Sequence, residues 1–231
     1  MKKLSSLLLA LSLSLTGLSY ADESADGWIS LFDGKTLDGW KGYNDAEFEG
    51  VWVVQDGILH LAGAPEGEPY VNIITEAVYD DFDLRFEWKV EAGTNSGVMF
   101  HVGEGPKQPY LTGPEYQVLD NEGFRNGKGE PVTEAEKTGS HYGVEPATSD
   151  ETKPIGEWNE SRIVVKGNHV EYWTNGVKTS EYEMHSEKWN EQIASAKFSK
   201  WRDYATLGKG HIGLQDHGHH VWFRNLKIKE L

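Results

Sequence analysis

The side chains best suited to chemistry fall in three short segments of this chain, each with a strand-like alternation. In an extended strand, residues two apart share a face. In Asn95-Ser96-Gly97-Val98-Met99-Phe100-His101, turning Val98 and Phe100 to a core sends Gly97, Met99 and His101 the other way. In Glu115-Tyr116-Gln117-Val118 the same rule sets Glu115 and Gln117 opposite the core, and in His211 to His217 it turns His211, Gln215 and His217 outward. A solvated strand face ordinarily shows Lys, Thr and Glu. His, Gln, Glu and Gly instead form a set that can hydrogen-bond a polar ligand, and glycine lets a ring approach the backbone. One outward Glu or Gln is ordinarily just solvated, and a lone histidine is ordinarily structural. The weight lies in three segments sharing one bias.

The run Asp216-His217-Gly218-His219-His220 is dense in groups that hold metals, histidine being the commonest such ligand. His217 and His219 also read as residues crossing a turn between two strands. No His-Glu-x-x-His, cysteine pair or calcium loop occurs, so the familiar metal motifs are absent. Nor is there a phosphate loop, a Gly-x-Ser-x-Gly elbow or a dinucleotide fingerprint after a strand. The expectation is therefore no nucleotide, flavin or haem.

The elements that must carry these residues alternate with period two between Gly, Asp and Asn turns. Residues 50–54 and Ile58 to Leu61 read as a hairpin about Gln55-Asp56-Gly57. Phe82, Leu84, Phe86, Trp88 and Val90 alternate with Asp83, Arg85, Glu87 and Lys89. Val98, Phe100 and Val102 make the next apolar row, and Tyr116 and Val118 another. Arg162 to Lys178 holds two strands, broken at Lys166-Gly167-Asn168 and folding back at Asn175-Gly176, the dipeptide favoured in two-residue hairpins. His211 to Gln215 and Val221 to Ile228 close the series. One stretch reads as helical, with Ser186 as its cap and Trp189, Ile193 and Ala196 on one side. Many short strands with regular turns predict an all-β fold, a sandwich or a barrel, with at most one short helix. Two long connections, Gly103 to Pro114 and Asn121 to Gly139, are rich in Gly, Pro and charge, and such loops often carry function.

The first residues bear on compartment. Lys2 and Lys3, the apolar run to Leu15, and Ser19-Tyr20-Ala21 read as a signal peptide over residues 1–21, cut before Asp22. The run is too short to span a bilayer stably, and a chain with no cysteine has no lipoprotein anchor. Residues 22–231 then form one domain that is periplasmic or secreted, without a stable membrane anchor. Removing Lys2 and Lys3 leaves 20 basic and 37 acidic side chains, a net charge of −17. A chain so acidic is not drawn to phosphate backbones or anionic lipid, so nucleic acid is excluded as a partner. Without disulfides, stability must come from a core, and nine Trp, ten Tyr and eight Phe can supply one.

Taken in order, several segments resemble the 3-keto-disaccharide hydrolase domain family. They are Leu31-Phe32-Asp33-Gly34-Lys35-Thr36-Leu37-Asp38-Gly39-Trp40, Asn95 to Phe100, Glu115 to Asp120, Gly156-Glu157-Trp158-Asn159, and Gly213 to Gly218 with Phe223-Arg224-Asn225. The resemblance covers Trp28 to Leu231. It implies a concanavalin A-like jelly-roll sandwich of two antiparallel sheets, and cleavage of glycosides oxidised at C3 by 1,2-elimination and hydration. Such chemistry needs a base, an enolate stabiliser and a proton donor, not two carboxylates at a fixed spacing. A divalent ion bridging the ketone and the C2 hydroxyl would stabilise the enolate. Glu115 or His101 is then the candidate base, and Asn95, Gln117, Tyr142, Trp158, Gln215 and His217 are the candidates for holding a carbohydrate substrate or a metal. Trp158 either stacks on a sugar or packs at a corner of the core. Ser140-His141-Tyr142 departs from the smaller, more apolar run common in the family. The alternative is a lectin-like carbohydrate-binding module without catalysis, since one fold serves both.

Overall fold

The computed structural model describes residues 26–63 and 69–231, so the expected leader and its cut before Asp22 lie outside the described residues. The strands are β1 (Ile29–Ser30), β2 (Trp40–Gly42), β3 (Trp52–Gln55), β4 (Ile58–Leu61), β5 (Ile73–Thr75), β6 (Phe82–Val90) and β7 (Asn95–Val102). There follow β8 (Glu115–Leu119), β9 (Asn159–Lys166), β10 (His169–Thr174), β11 (Val177–Glu183), β12 (His211–Leu214) and β13 (Val221–Glu230), with one α-helix among the described residues, α1 (Glu187–Ser195). Eight strands form one antiparallel sheet, ordered β11-β10-β9-β6-β13-β4-β3 with β1 paired to β13. Five form the other, ordered β2-β5-β12-β7-β8. This is the all-β jelly-roll sandwich of two antiparallel sheets that the sequence and the resemblance led us to expect.

The alternation explains the layers. Phe82, Leu84, Phe86, Trp88 and Val90 of β6 are buried, and they share one core with Val98, Phe100, Tyr116 and Val118 from the small sheet. Trp52, Trp88, Tyr116 and Tyr172 are among its fully buried members. Each large apolar side chain so buried contributes roughly 1.5–3 kcal/mol, which suits a chain with no disulfide. The Tyr116 hydroxyl meets Ser161 Oγ and Thr174 Oγ1, both at 2.7 Å. A buried phenol thereby pins β8 to β9 and β10 of the facing sheet.

Turn chemistry sets the hairpins. Asp56-Gly57 joins β3 to β4 and Asn175-Gly176 joins β10 to β11, all four residues at positive φ. That is the geometry of the tight turn matching strand twist. Beyond the Asn-Gly turn the ribbon continues through β11 to Glu183, so the expected pair of strands is a triplet. Ser186 caps α1 by accepting from Trp189 N at 3.2 Å, and Trp189 is buried with Ile193 and Ala196 packed on the core.

One departure matters for the site. His211 pairs with Val102 but Gly213 with Met99, so Phe100 and His101 together face Ile212. This is a β-bulge, and His101 sits at φ 49°. The extra residue shifts the parity of the strand. Val102 joins Met99, Ile74 and Tyr43 in a satellite cluster, rather than Val98 and Phe100 in the main core.

Candidate active site

On the outer face of the small sheet lies a cavity of about 220 Å³, with Asn95, Glu115, Gln117, Gln215 and His217 among its lining. β8 presents Glu115 and Gln117 on one face, and pairing sets Gly97 of β7 opposite Gln117. Gln215 follows β12, tied by its N–H to Gly97 O at 2.9 Å, while Ser96 Oγ donates to Gln215 O at 2.8 Å. Gln117 Nε2 donates to Asn95 Oδ1 at 3.2 Å. Gly97 is needed as glycine. A Cβ there would lie 1.9 Å from Glu115 Oε1, so the carboxylate occupies space that any side chain would fill.

The opposite wall comes from connections. Tyr142 follows β8, its N–H bonding Glu115 O at 3.1 Å. Lys197, Phe198, Trp201 and Tyr204 come from the segment after α1, and Tyr110 from the loop after β7. The Lys197 ammonium stands 4.2 Å from the Tyr142 ring centroid, a cation–π contact that fixes a flexible side chain. Tyr204 Oη meets His141 Nε2 at 2.7 Å, and His141 stacks on Tyr182 with centroids 4.5 Å apart. Burial holds His141 neutral, its pKa lowered to about 3. It supports the wall rather than facing the cavity.

Burial pushes the Glu115 carboxyl up to about 8, and the Lys197 charge pulls it partly back. Burial likewise lowers Lys197, opposed by Glu115 and Glu136. Glu115 Oε1, Gln117 Oε1 and His217 Nδ1 are buried without a hydrogen-bond partner among the described residues. Buried polar atoms are rarely left so, and three around one cavity mark a place built for a ligand. A larger cavity, about 920 Å³, lies at the large sheet between Trp28, Arg85, Arg162 and Trp173. Its two arginines are each paired in a fork with Asp83. Orphaned acceptors weigh more than volume, so the smaller cavity is the candidate site.

Residues 27–229 match the model of the 3-keto-alpha-glucoside-1,2-lyase-like domain. The chain belongs to that family. It is 35% identical to a protein of Bacteroides thetaiotaomicron named 3-keto-disaccharide hydrolase, over 90% of this chain and 79% of that one. A crystal structure from Parabacteroides distasonis, provisionally described as a glycosyl hydrolase, is 36% identical, with a TM-score of 0.82 over 90% of this chain and 96% of that one. A second structure of that organism, described likewise, is 30% identical, with a TM-score of 0.66 over 88% and 99%.

Within this family member, six of the eight residues singled out from sequence line one cavity: Glu115, Asn95, Gln117, Tyr142, Gln215 and His217. His101 does not. The bulge turns it away, its Nε2 meets Asp80 O at 2.8 Å, and its ring packs edgewise on Phe82 and Phe100. Trp158 does not either. It precedes β9 of the large sheet, with Arg224 at 4.0 Å and Lys89 at 5.3 Å from its ring centroid. His211 Nδ1 is bound to Thr75 O at 2.6 Å, and the residue is not among the cavity lining.

The Asp216–His220 run does not close on one point. His217 and His219 stack with centroids 5.7 Å apart, and His220 Nδ1 meets His60 Nε2 at 3.0 Å. Among the described residues the one group of three metal-capable side chains is His169, Glu171 and Glu181, on β10 and β11 of the other sheet. Lys178 already bonds both carboxylates, at 3.2 and 2.7 Å. Sequence reasoning missed Lys197, Trp201, Tyr204 and Tyr110. Their segments carry no strand alternation, and the available signal was aromatic density in Phe198-Ser199-Lys200-Trp201-Arg202-Asp203-Tyr204.

Proposed function

We propose that this chain is an exported enzyme that cleaves glycosides already oxidised at C3, by 1,2-elimination and then hydration. The observation that carries the reading is Glu115, a buried carboxyl with Oε1 unpartnered and its pKa pushed up to about 8, facing a cavity of one sugar ring beside the Lys197 ammonium. A general acid–base works best with a pKa near the operating pH. The family and the relative named 3-keto-disaccharide hydrolase support a carbohydrate substrate. A lectin-like module has no use for a carboxylate kept near neutrality at this cost in burial.

In the first step Glu115 takes the proton from C2, and the C–H electron pair becomes the enolate of the C3 ketone. Lys197 faces that growing negative charge and stabilises it. The enolate then re-forms the ketone, C1 and C2 become doubly bonded, and the glycosidic oxygen departs. Protonated Glu115 returns its proton to that oxygen. Water next adds its hydroxyl to C1 and a proton to C2, giving the free 3-keto-sugar and net hydrolysis. Asn95, Gln117 and Gln215 hold the sugar hydroxyls. A divalent ion fits the donor types present: His217 Nδ1 and the Gln215 amide would hold it, and it would supply Lewis-acid polarisation of the ketone.

The decisive measurement incubates the purified protein with a 3-keto-glucoside and with the unoxidised glucoside, with and without chelator. We expect aglycone release from the keto form alone, reduced at least 1000-fold by Glu115→Gln. Binding of both sugars without turnover would establish the lectin-like alternative. Loss of activity with chelator, restored by divalent ion, would assign the ion. Export is tested by N-terminal sequencing of protein from the periplasm and medium, which should begin at Asp22.

A further inference from the structure

We infer that Tyr70, seated on His217 at the rim of this cavity, forms a platform for the ring on the leaving-group side of the substrate. The inference rests on the reading of the cavity as a glycoside site and adds which part of the substrate lies outside it. A volume of about 220 Å³ falls below the range for drug-sized ligands and holds one pyranose. Any second ring must lie on the rim.

At that rim stands an exposed aromatic. Tyr70 is 54% exposed, yet its ring is held flat against His217, with centroids 5.6 Å apart and planes 24° apart. His217 lines the cavity and Tyr70, itself outside the lining, stacks on it, which puts the exposed ring next to that wall. Its seat is built. Asp216 receives Val71 N–H on Oδ2 at 2.8 Å and Gly218 N–H on Oδ1 at 2.7 Å, clamping the tyrosine's segment to the turn that carries His217. Gly218 lies at φ 79°, and a Cβ there would come 2.7 Å from the Tyr70 ring. Phe124 also packs edge-on to His217 at 6.0 Å.

An exposed tyrosine ordinarily samples many rotamers. Here the stack on His217, a backbone anchored at the next residue, Val71, and the space left by Gly218 keep the ring as a flat apolar surface in water, with the hydroxyl left for a polar contact. A pyranose with axial C–H groups or an aryl aglycone offers the matching flat apolar face, and rings of that kind stack on aromatics. Held there, such a ring would place its glycosidic oxygen at the mouth of the cavity, next to the reacting carbon.

The test compares wild type with Tyr70→Ala and Tyr70→Phe on 3-keto forms of a methyl glucoside, a disaccharide and an aryl glucoside. Tyr70→Ala should cut kcat/KM about 10-fold on the disaccharide, the aryl glucoside or both, mainly through KM, and leave the methyl glucoside within two-fold. Tyr70→Phe should retain most of the preference. Which of the two ringed substrates suffers tells a sugar-binding platform from an aryl-binding one. An equal loss on all three substrates, or no loss on any, overturns the proposal. Calorimetry with the unoxidised disaccharide and its monosaccharide needs no turnover and separates this inference from the proposed reaction. A wild-type preference for the disaccharide that Tyr70→Ala abolishes supports the platform even in a catalytically inert protein. A preference that Tyr70→Ala leaves intact, or no preference together with undiminished turnover of the aryl glucoside by Tyr70→Ala, refutes it even in an active one.

Discussion

At the scale of residues, the site turns on a carboxyl whose environment opposes its charge. Folded, Glu115 holds its proton up to about pH 8; its ordinary value is 4.5. Its activity as a base therefore rises with pH, and kcat/KM on a 3-keto-glycoside should climb about tenfold per unit to a plateau above about pH 8. Stability runs the other way. Between pH 4.5 and 8 the unfolded chain has released this proton while the folded chain keeps it, so stability falls as pH rises. Glu115→Gln removes that term. It should be inactive yet melt higher than wild type, with no difference near pH 4.5 and a gap that widens toward pH 8. Each kcal/mol corresponds to about 2–4 °C in a chain of this size. A pH-independent rate between 6 and 9, or a variant that melts lower at pH 8, would contradict the assignment.

At the scale of elements, β7 and β8 do the positioning, and one bulge decides which residues of β7 take part. The outward row Gly97-Met99-His101 is right as far as Met99. The second residue at the bulge, His101, cannot be seen from alternation, because alternation assumes one residue per partner. Two substitutions on this strand should therefore behave oppositely. Gly97→Ala pushes a Cβ into the Glu115 carboxylate and should lower kcat at least 100-fold while the protein still folds, since the far end of Glu115 can shift. His101→Asn keeps a residue that tolerates positive φ and should stay within a few-fold of wild-type kcat. Steady-state kinetics with circular dichroism on both variants checks this. An inactive, folded His101→Asn would return His101 to the list of bases.

At the scale of the whole molecule, the last strand is central rather than peripheral. β13 pairs with β6 along most of its length and also with β4 and β1. Val221, Phe223, Leu226 and Ile228 enter the core. Residues at opposite ends of the chain thus close the large sheet, and no local segment can complete it. Truncation before Val221 should leave β6 and β4 without a shared neighbour. The product should lack a cooperative thermal transition and be degraded by protease at rates typical of unfolded chains. A truncated protein that still melts cooperatively would show that the small sheet and the β9–β11 ribbon suffice.

The sequence alone determined the periodic facets of this protein: strands whose apolar faces repeat every second residue, Asp-Gly and Asn-Gly turns, a serine-capped helix, and the bias of Glu115, Gln117, Gln215 and His217. Those features are local, and each is written in neighbouring residues. The tertiary structure decided the rest. It brought Lys197 and Tyr204 over Glu115 from a segment with no periodicity. It turned His101 away at the bulge and set Trp158 on the other sheet. It spread the Asp216–His220 run over separate contacts instead of gathering it at one point. The reason is that burial and long-range pairing act between residues far apart in sequence. They set the pKa of Glu115 and left its oxygen without a partner, and neither can be read from its neighbours in the chain.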